Sequence, residues 1–370
     1  MKTKAAVLWE LGRDWEVAEL DLDPPQANEI LIRYVAAGLC HSDEHLRHGD
    51  IVPRFPIVGG HEGAGIVEEV GPGVTKVKPG DHVVCSFIPS CGHCRWCSTG
   101  QQNLCDMGAT ILEGCMPDGT FRFHADGQDL GAMCMIGTFS QYATISETSV
   151  VKVDEDLPLE IAVLVGCGVP TGWGSAVYAA KTTPGDTIVI YGIGGIGINA
   201  VQGAAHAGAK NVVAVDPLPN KREKAEEFGA THTAANGEEA QALIGDLTRG
   251  VGADKAIVTV DIVNEQVVQE AFNAVRKGGR VVVTGLADPA KLTIQLSGAV
   301  LTLFQKEVVG TLFGGSNPQY DIKKLLDLYR AGQVKLDELV TKQYTLDEIN
   351  QGYQDLLDGK NLRGVMVHSH

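Results

Sequence analysis

Thr187-Ile188-Val189-Ile190-Tyr191 runs directly into Gly192-Ile193-Gly194-Gly195-Ile196-Gly197, and Asn211-Val212-Val213-Ala214-Val215-Asp216 follows after a helical interval. Strand, glycine turn, helix and strand ending on an acid, within about 30 residues, is the pattern of a dinucleotide-binding βαβ unit. Gly192 permits the tight turn, Gly194 lets the backbone approach a pyrophosphate, and Gly197 lets helix pack on strand. Gly195 and Ile196 complete the loop. The helix N-terminus offers unpaired N–H groups and the positive end of its dipole to phosphates. Asp216, about 20 residues beyond the turn, is spaced to accept from a ribose hydroxyl. A bare glycine hexad also fits a plain sheet-packing turn; the flanking strands and the terminal acid select the nucleotide reading. The fold class expected from this stretch is α/β.

Working outward, 370 residues exceed what one core usually serves, so two domains are expected. A net charge of −16 argues against nucleic acid and against an anionic membrane surface as partners, since both demand positive patches. The first residues, Met1-Lys2-Thr3-Lys4-Ala5-Ala6-Val7-Leu8-Trp9-Glu10, hold too short an apolar core for a signal peptide, and no run reaches the length of a membrane span. A soluble, cytoplasmic protein is therefore expected. In that compartment nine cysteines are better explained by metal ligation than by a disulfide framework.

Residues 1–35 read as β-rich. Gly38-Leu39-Cys40-His41-Ser42-Asp43-Glu44-His45, Gly59-Gly60-His61-Glu62-Gly63-Ala64-Gly65 and Gly166-Cys167-Gly168-Val169-Pro170-Thr171-Gly172 follow at wide intervals. Any one of Cys40, His61 and Cys167 would pass as a core residue; three in glycine frames point to a ligand set. Cys91-Gly92-His93-Cys94-Arg95-Trp96-Cys97 and then Cys105 give C-x₂-C-x₂-C-x₇-C, four thiolates on one loop. That suits a closed, structural tetrahedral Zn²⁺, with an iron–sulfur cluster as the rival. Strand, turn and strand are expected over 67–84, a polar insertion over 106–137, a strand over 138–143 and a helix over 158–165. Beyond the βαβ unit come buried strands at 255–260 and 280–285, and a helix over 265–277 ended by Gly278-Gly279. Helices around 322–329 and 345–358 and a strand over 364–368 close the pattern. The dinucleotide unit is thus inserted, as residues 169–312, into a catalytic domain made of residues 1–168 and 313–370.

Two thiolates and one imidazole leave a tetrahedral Zn²⁺ with one open position. A cation there can hold an alcohol oxygen and lower its pKa, and the alkoxide carbon gives up hydride readily. With a nicotinamide as acceptor, the pair of sites implies hydride transfer.

With GLCHSDEH, GGHEGAG, CGHCRWC…C, GCGVPTGWGSA, GIGGIG and VAVD in this order, the chain resembles the zinc-dependent medium-chain alcohol dehydrogenases over essentially its whole length. The resemblance implies a Rossmann domain within a β-rich GroES-like catalytic domain. It places catalytic-zinc ligands on Cys40, His61 and Cys167, and structural-zinc ligands on Cys91, Cys94, Cys97 and Cys105, two zincs per chain. Asp43 matches the carboxylate orienting the zinc-bound imidazole, and Glu62 the acid beside the metal. Ser42 and His45 match a proton relay, with an ordinary surface histidine as the alternative for His45. Thr171, the glycine turn, Asp216, Lys221, Arg363 and His41 match cofactor contacts, the last two at pyrophosphate positions. The carboxylate of Asp216 would repel a 2′-phosphate, so NAD is favoured over NADP. The insertion resembles the long loop of the liver-type branch, on which Ile51, Phe87 and Met133 would line an apolar pocket for a small alcohol or aldehyde.

GLCHSDEHL, GCGVPTGWGSAVYAA and GTFSQY further resemble an actinobacterial subset in which NAD stays bound and an external acceptor reoxidises it. A homo-oligomer is implied as well. Two alternatives stand beside this reading. One is a thiol-dependent formaldehyde dehydrogenase, against which Asp106-Met107-Gly108-Ala109-Thr110 counts because it lacks that group's arginine. The other is a non-catalytic nucleotide-binding protein on the same fold, which should have lost the catalytic ligands.

Overall fold

The computed structural model describes residues 1–287 and 293–370. The chain forms two compact units, Met1–Cys167 with Asn317–His370, and Gly168–Ser316.

The first unit is β-rich. Glu29–Gly38 alternates buried Ile30, Ile32, Tyr34 and Ala36 with half-buried Leu31, Arg33 and Val35, the two-residue period of a strand with one face in a core. It sits centrally in a seven-stranded sheet, paired with Gly63–Val70 on one side and Arg363–Val367 on the other. Val340–Tyr344 extends that sheet beyond Arg363–Val367, so segments from either side of the second unit in sequence share one ladder. A small closed barrel is built from Lys2–Leu8, Glu16–Leu22, Phe123–Ala125, Gln128–Ala132 and Ile57–Val58. Residues 106–137 are therefore more than a polar insertion: their hairpin completes the barrel, and Met133, Cys134, Met135 and Ile136 are buried.

The strand expected over 138–143 begins later, at Tyr142–Ser146. Thr138 and Phe139 spend their N–H groups on the Gly60 and Gly59 carbonyls, while the Phe139 carbonyl accepts from Ala6, so this stretch is an irregular bridge. The helix expected over 158–165 is a single turn, Leu159–Ala162, tightening into a 3₁₀ segment, Val163–Gly166.

The second unit contains a six-stranded parallel sheet in the order His232–Ala234, Asn211–Val215, Thr187–Tyr191, Ala253–Val258, Val275–Val283, Glu307–Gly310. In sequence order this is 3-2-1-4-5-6, the Rossmann order. Thr187–Tyr191 and Asn211–Val215 are buried throughout, which is why both read as unbroken apolar runs. The helix expected over 265–277 is capped by the Asn264 side chain and stops at Ala274. Val275 pairs with Ala253, and Gly278 donates to the Phe304 carbonyl, so the two glycines belong to a long strand instead of a helix end. Among the described residues no single helix is long and apolar enough to cross a membrane.

Candidate metal centres and nucleotide turn

Three distant turns converge in the first unit. Cys40 is the extended residue opening the helix His41–His48, His61 lies in the turn before Gly63–Val70, and Cys167 ends the 3₁₀ segment. One donor atom each from Cys40, His61, Glu62 and Cys167 lies within 4.8 Å of the others, and all four residues are buried. The Nδ1–H of His61 donates to Asp43 Oδ1 at 3.1 Å, and the same oxygen accepts the Gly60 N–H at 3.1 Å. This leaves His61 Nε2 buried with no hydrogen-bond partner. Such an orphan is costly unless something binds it, and a metal ion fits.

The electrostatics agree. A hydrogen bond from Cys167 holds the Cys40 thiol well below its usual range, with His61 and Arg363 adding positive charge. The same bond and burial push Cys167 well up, so the pair shares one proton, which a divalent cation would replace. Burial alone would lower His61, but the charges of Asp43 and Cys40 outweigh it and raise the imidazole. Glu62 is raised by burial and drawn back by Arg363, whose guanidinium it pairs with. A Cβ on Gly38 would stand 2.0 Å from Glu62 Oε2, so only glycine leaves room for that pair. Arg363, expected on a pyrophosphate, is thus engaged with Glu62 in this unit.

The Phe87 ring meets His61 edge-on at 5.9 Å, and Ile51 and Met133 belong with Phe87 to the large apolar core of this unit. Ser42 Oγ lies 3.7 Å from Cys40 Sγ. His45 is no surface histidine: it is 5% exposed, and its Nδ1 lies 2.8 Å from Asp50 Oδ2. His41 is half-buried in the first turn of the helix. Sequence reasoning missed three neighbours. Asp50 lay unmarked just past a helix. Cys134 is buried, its thiol pushed up to about 12, and it feels the charges of His61, Asp43 and Cys40. Tyr353 is buried against Trp15 and Phe139, its phenol raised by burial and by Asp43.

The second cluster is local. The sulfurs of Cys91, Cys94, Cys97 and Cys105 lie within 4.8 Å of one another, with Cys91–Cys97 and Cys94–Cys105 each at 3.9 Å. A tetrahedral ion with metal–sulfur bonds of about 2.3 Å places its sulfurs about 3.8 Å apart. The geometry therefore fits one ion, whereas a multi-iron cluster would spread the thiolates. Backbone N–H groups point at the sulfurs: Cys94 N to Cys91 Sγ at 3.3 Å, Cys97 N to Cys94 Sγ at 3.5 Å, and Cys91 N to Cys105 Sγ at 3.4 Å. The bond from Cys97 N, with one from Asp106, brings Cys94 down to about 6, while burial pushes Cys97 up to about 12.

In the second unit Gly192 has φ +91°, and a Cβ on Gly197 would meet the Gly192 carbonyl at 1.9 Å. A Cβ on Gly194 would meet nothing within 4 Å, so the turn between Gly192 and Gly197 presents an open backbone edge. Gly195 accepts from Asn199 Nδ2, and Ile196 precedes the helix Gly197–His206. Asp216 is braced, Oδ2 accepting from Ile193 N and Oδ1 from Leu218 N, both at 2.9 Å. Arg222, not the half-buried Lys221, reaches back to the Asp216 carbonyl at 2.7 Å. Thr171 Oγ1 is buried without a partner.

Two family descriptions match the chain, "Alcohol dehydrogenase GroES-like domain" over residues 26–155 and "Zinc-binding dehydrogenase" over residues 195–331. The NDMA-dependent alcohol dehydrogenase of Amycolatopsis methanolica is 70% identical over 369 residues, covering 100% of both chains. Alcohol dehydrogenase B of Mycobacterium tuberculosis is 50% identical over 371 residues, covering 100% of this chain and 99% of that one. The crystal structure of benzyl alcohol dehydrogenase from Acinetobacter calcoaceticus, 32% identical, superposes with a TM-score of 0.93 over 100% of both chains.

Proposed function

The chain belongs to the zinc-binding medium-chain alcohol dehydrogenase family, and from that premise we propose that it oxidises primary or apolar alcohols reversibly to aldehydes with Zn²⁺ and NAD. The observation that carries the proposal is the buried set Cys40, His61 and Cys167, with His61 Nε2 unpartnered and Nδ1 held by Asp43. When bound, the zinc supplies Lewis-acid polarisation of the alcohol oxygen and the nicotinamide supplies the hydride acceptor.

The chain's own residues do the rest. Asp43 fixes the His61 tautomer so that Nε2 is the ligating atom. Glu62 keeps a carboxylate beside the three ligands, its charge balanced by Arg363. Ser42 takes the alcohol proton and His45 receives it further along the relay, both on the helix that Cys40 opens. Phe87, Ile51 and Met133, which share one apolar core, would line the alcohol side of the site, exclude water and favour apolar alcohols. The open edge at Gly194 and the dipole of the helix Gly197–His206 suit a pyrophosphate, with Thr171, Lys221 and His41 as further contacts. Asp216 disfavours a 2′-phosphate and so selects NAD. Cys91, Cys94, Cys97 and Cys105 hold a second, structural zinc in a cytoplasmic homo-oligomer.

NAD stays bound between turnovers and an external acceptor reoxidises it; the name of the 70% identical Amycolatopsis relative supports this part. Denaturing the purified protein and assaying the supernatant is the test. Two zincs and close to one NAD(H) per chain are expected. No bound nucleotide, with turnover on added NAD alone, would sink the retained-cofactor reading, and a requirement for added thiol would favour a formaldehyde dehydrogenase.

A further inference from the structure

His45 and Asp50 form a pair whose geometry is set by the end of a helix. His41–His48 stops at Gly49, which adopts the left-handed conformation (φ 90°, ψ 13°) and donates its N–H to the His45 carbonyl at 3.0 Å. The Ile51 N–H bonds the same carbonyl at 3.2 Å. The chain therefore doubles back over the last turn, carrying Asp50 to within 2.8 Å of His45 Nδ1. Gly49 is needed for this path, since any side chain there is strained by its φ and would press on Leu11 at 3.1 Å.

Solvent exposure decides what such a pair can do. The His45 side chain is 6% exposed and that of Asp50 26% exposed, so the imidazole keeps only a narrow contact with water while its partner reaches it more fully. The other charges on this helix are otherwise engaged. Glu44 accepts from Arg47 at 2.9 Å and faces His48 at 3.0 Å, Asp14 engages Arg47 at 3.3 Å, and Asp43 holds His61. His41, at the opposite end of the helix, is the remaining titratable group on it.

We infer that Asp50 is a positioning residue for proton transfer: accepting the Nδ1–H of His45, it holds that ring in the tautomer whose Nε2 lone pair receives the proton. The inference rests on the relay reading of His45 given above. Atoms balance simply. The proton leaving the alcohol passes through Ser42 to His45 Nε2, the Nδ1–H stays on the ring, and the imidazolium is stabilised by the Asp50 carboxylate. The proton then leaves Nε2 for solvent. Without the carboxylate the ring is less basic and free to adopt either tautomer.

The test uses the holoenzyme with NAD bound, following hydride transfer in a single turnover against pH. Alcohol oxidation needs neutral His45, so the rate rises with pH through its titration. Asp50→Asn removes the charge and should move that limb to lower pH by about one unit, while Asp50→Glu should restore it. A merely structural role would lower the melting temperature and leave the midpoint where it was. If the limb vanishes in His45→Gln but stays in place in Asp50→Asn and Asp50→Ser, the inference is overturned and the relay stands. If the limb survives His45→Gln, the relay reading fails and this inference falls with it, whatever an NMR titration of the His45 ring shows of its pairing with Asp50.

Discussion

The two candidate metal clusters of the first unit present similar donors at similar spacing and are built in opposite ways. Cys91, Cys94, Cys97 and Cys105 come from one short loop, are partly exposed, and are steadied by backbone N–H groups. Cys40, His61 and Cys167 come from three remote turns, are buried, and are steadied by charged side chains, Asp43 on His61 and Arg363 on Glu62. The local set offers sulfur at all four positions, so an ion held there would have nothing left to bind and could only hold the loop together. The remote set has at its fourth corner a carboxylate already paired with an arginine, which would leave a metal held there a position for substrate in the proposed reaction. Backbone support makes a staple, and side-chain support makes a site whose charge can be tuned.

The largest expected effects come from cutting each set once. Cys94→Ser should release the ion of the cysteine loop and cost a substantial share of the about 10–16 kcal/mol such a site can contribute, seen as a collapse of the melting temperature. Cys167→Ser should melt near the wild type, retain one zinc, and lose at least about a thousandfold in turnover, the scale of several kcal/mol of Lewis-acid stabilisation. Metal analysis beside calorimetry checks both, and equal losses of stability in the two variants would erase the contrast.

A finer cut is Asp43→Asn, which keeps shape and removes charge. Zinc retention against a chelator should fall about 10–100-fold at the buried cluster and not at all at the cysteine loop. A matching fall at both would mean that the carboxylate acts through global stability.

The smallest effect sharpens the electrostatic half of the comparison, through a buried imidazole with no carboxylate beside it. His368 donates from Nε2 to the Thr138 carbonyl, its Nδ1 is orphaned, and burial brings its pKa down to about 4 from 6.5. The unfolded chain binds this proton near 6.5 and the folded chain does not until about 4, so stability falls as pH drops through that window and is untouched at neutral pH. His368→Gln should flatten the curve of melting temperature against pH across the window. An unchanged curve would mean that other groups govern the acid limb.

What the sequence made legible was whatever is local. The glycine turn between two apolar runs, and the cysteine loop, carry their geometry in their spacing. Even the remote Cys40, His61 and Cys167, which the fold brings together, stood out in the sequence, because each has its own glycine frame. What was hidden depends on partners far along the chain or on chain reversal. Glu62 and Arg363 lie 301 positions apart, and neither sequence neighbourhood names the other. Asp50 reaches His45 only because Gly49 turns left-handed. The helix expected to run to Lys277 ends at Ala274 because strand pairing on both sides claims Val275–Val283, an outcome that local helix propensity cannot foresee.

The strand Arg363–Val367 joins Glu29–Gly38 in the sheet of the first unit, and it emerges from the ribosome after the whole of the second. During synthesis the residues of the buried cluster are all made before their sheet can be finished, and Glu62 waits for its arginine across the making of an entire intervening body. The nucleotide-binding unit can close on its own contacts while the metal-binding one is still missing an inner strand. A nascent chain stalled before Arg363 would therefore carry an assembled cofactor turn beside an unsealed catalytic sheet. The order in which the units are completed is the reverse of the order of their first residues.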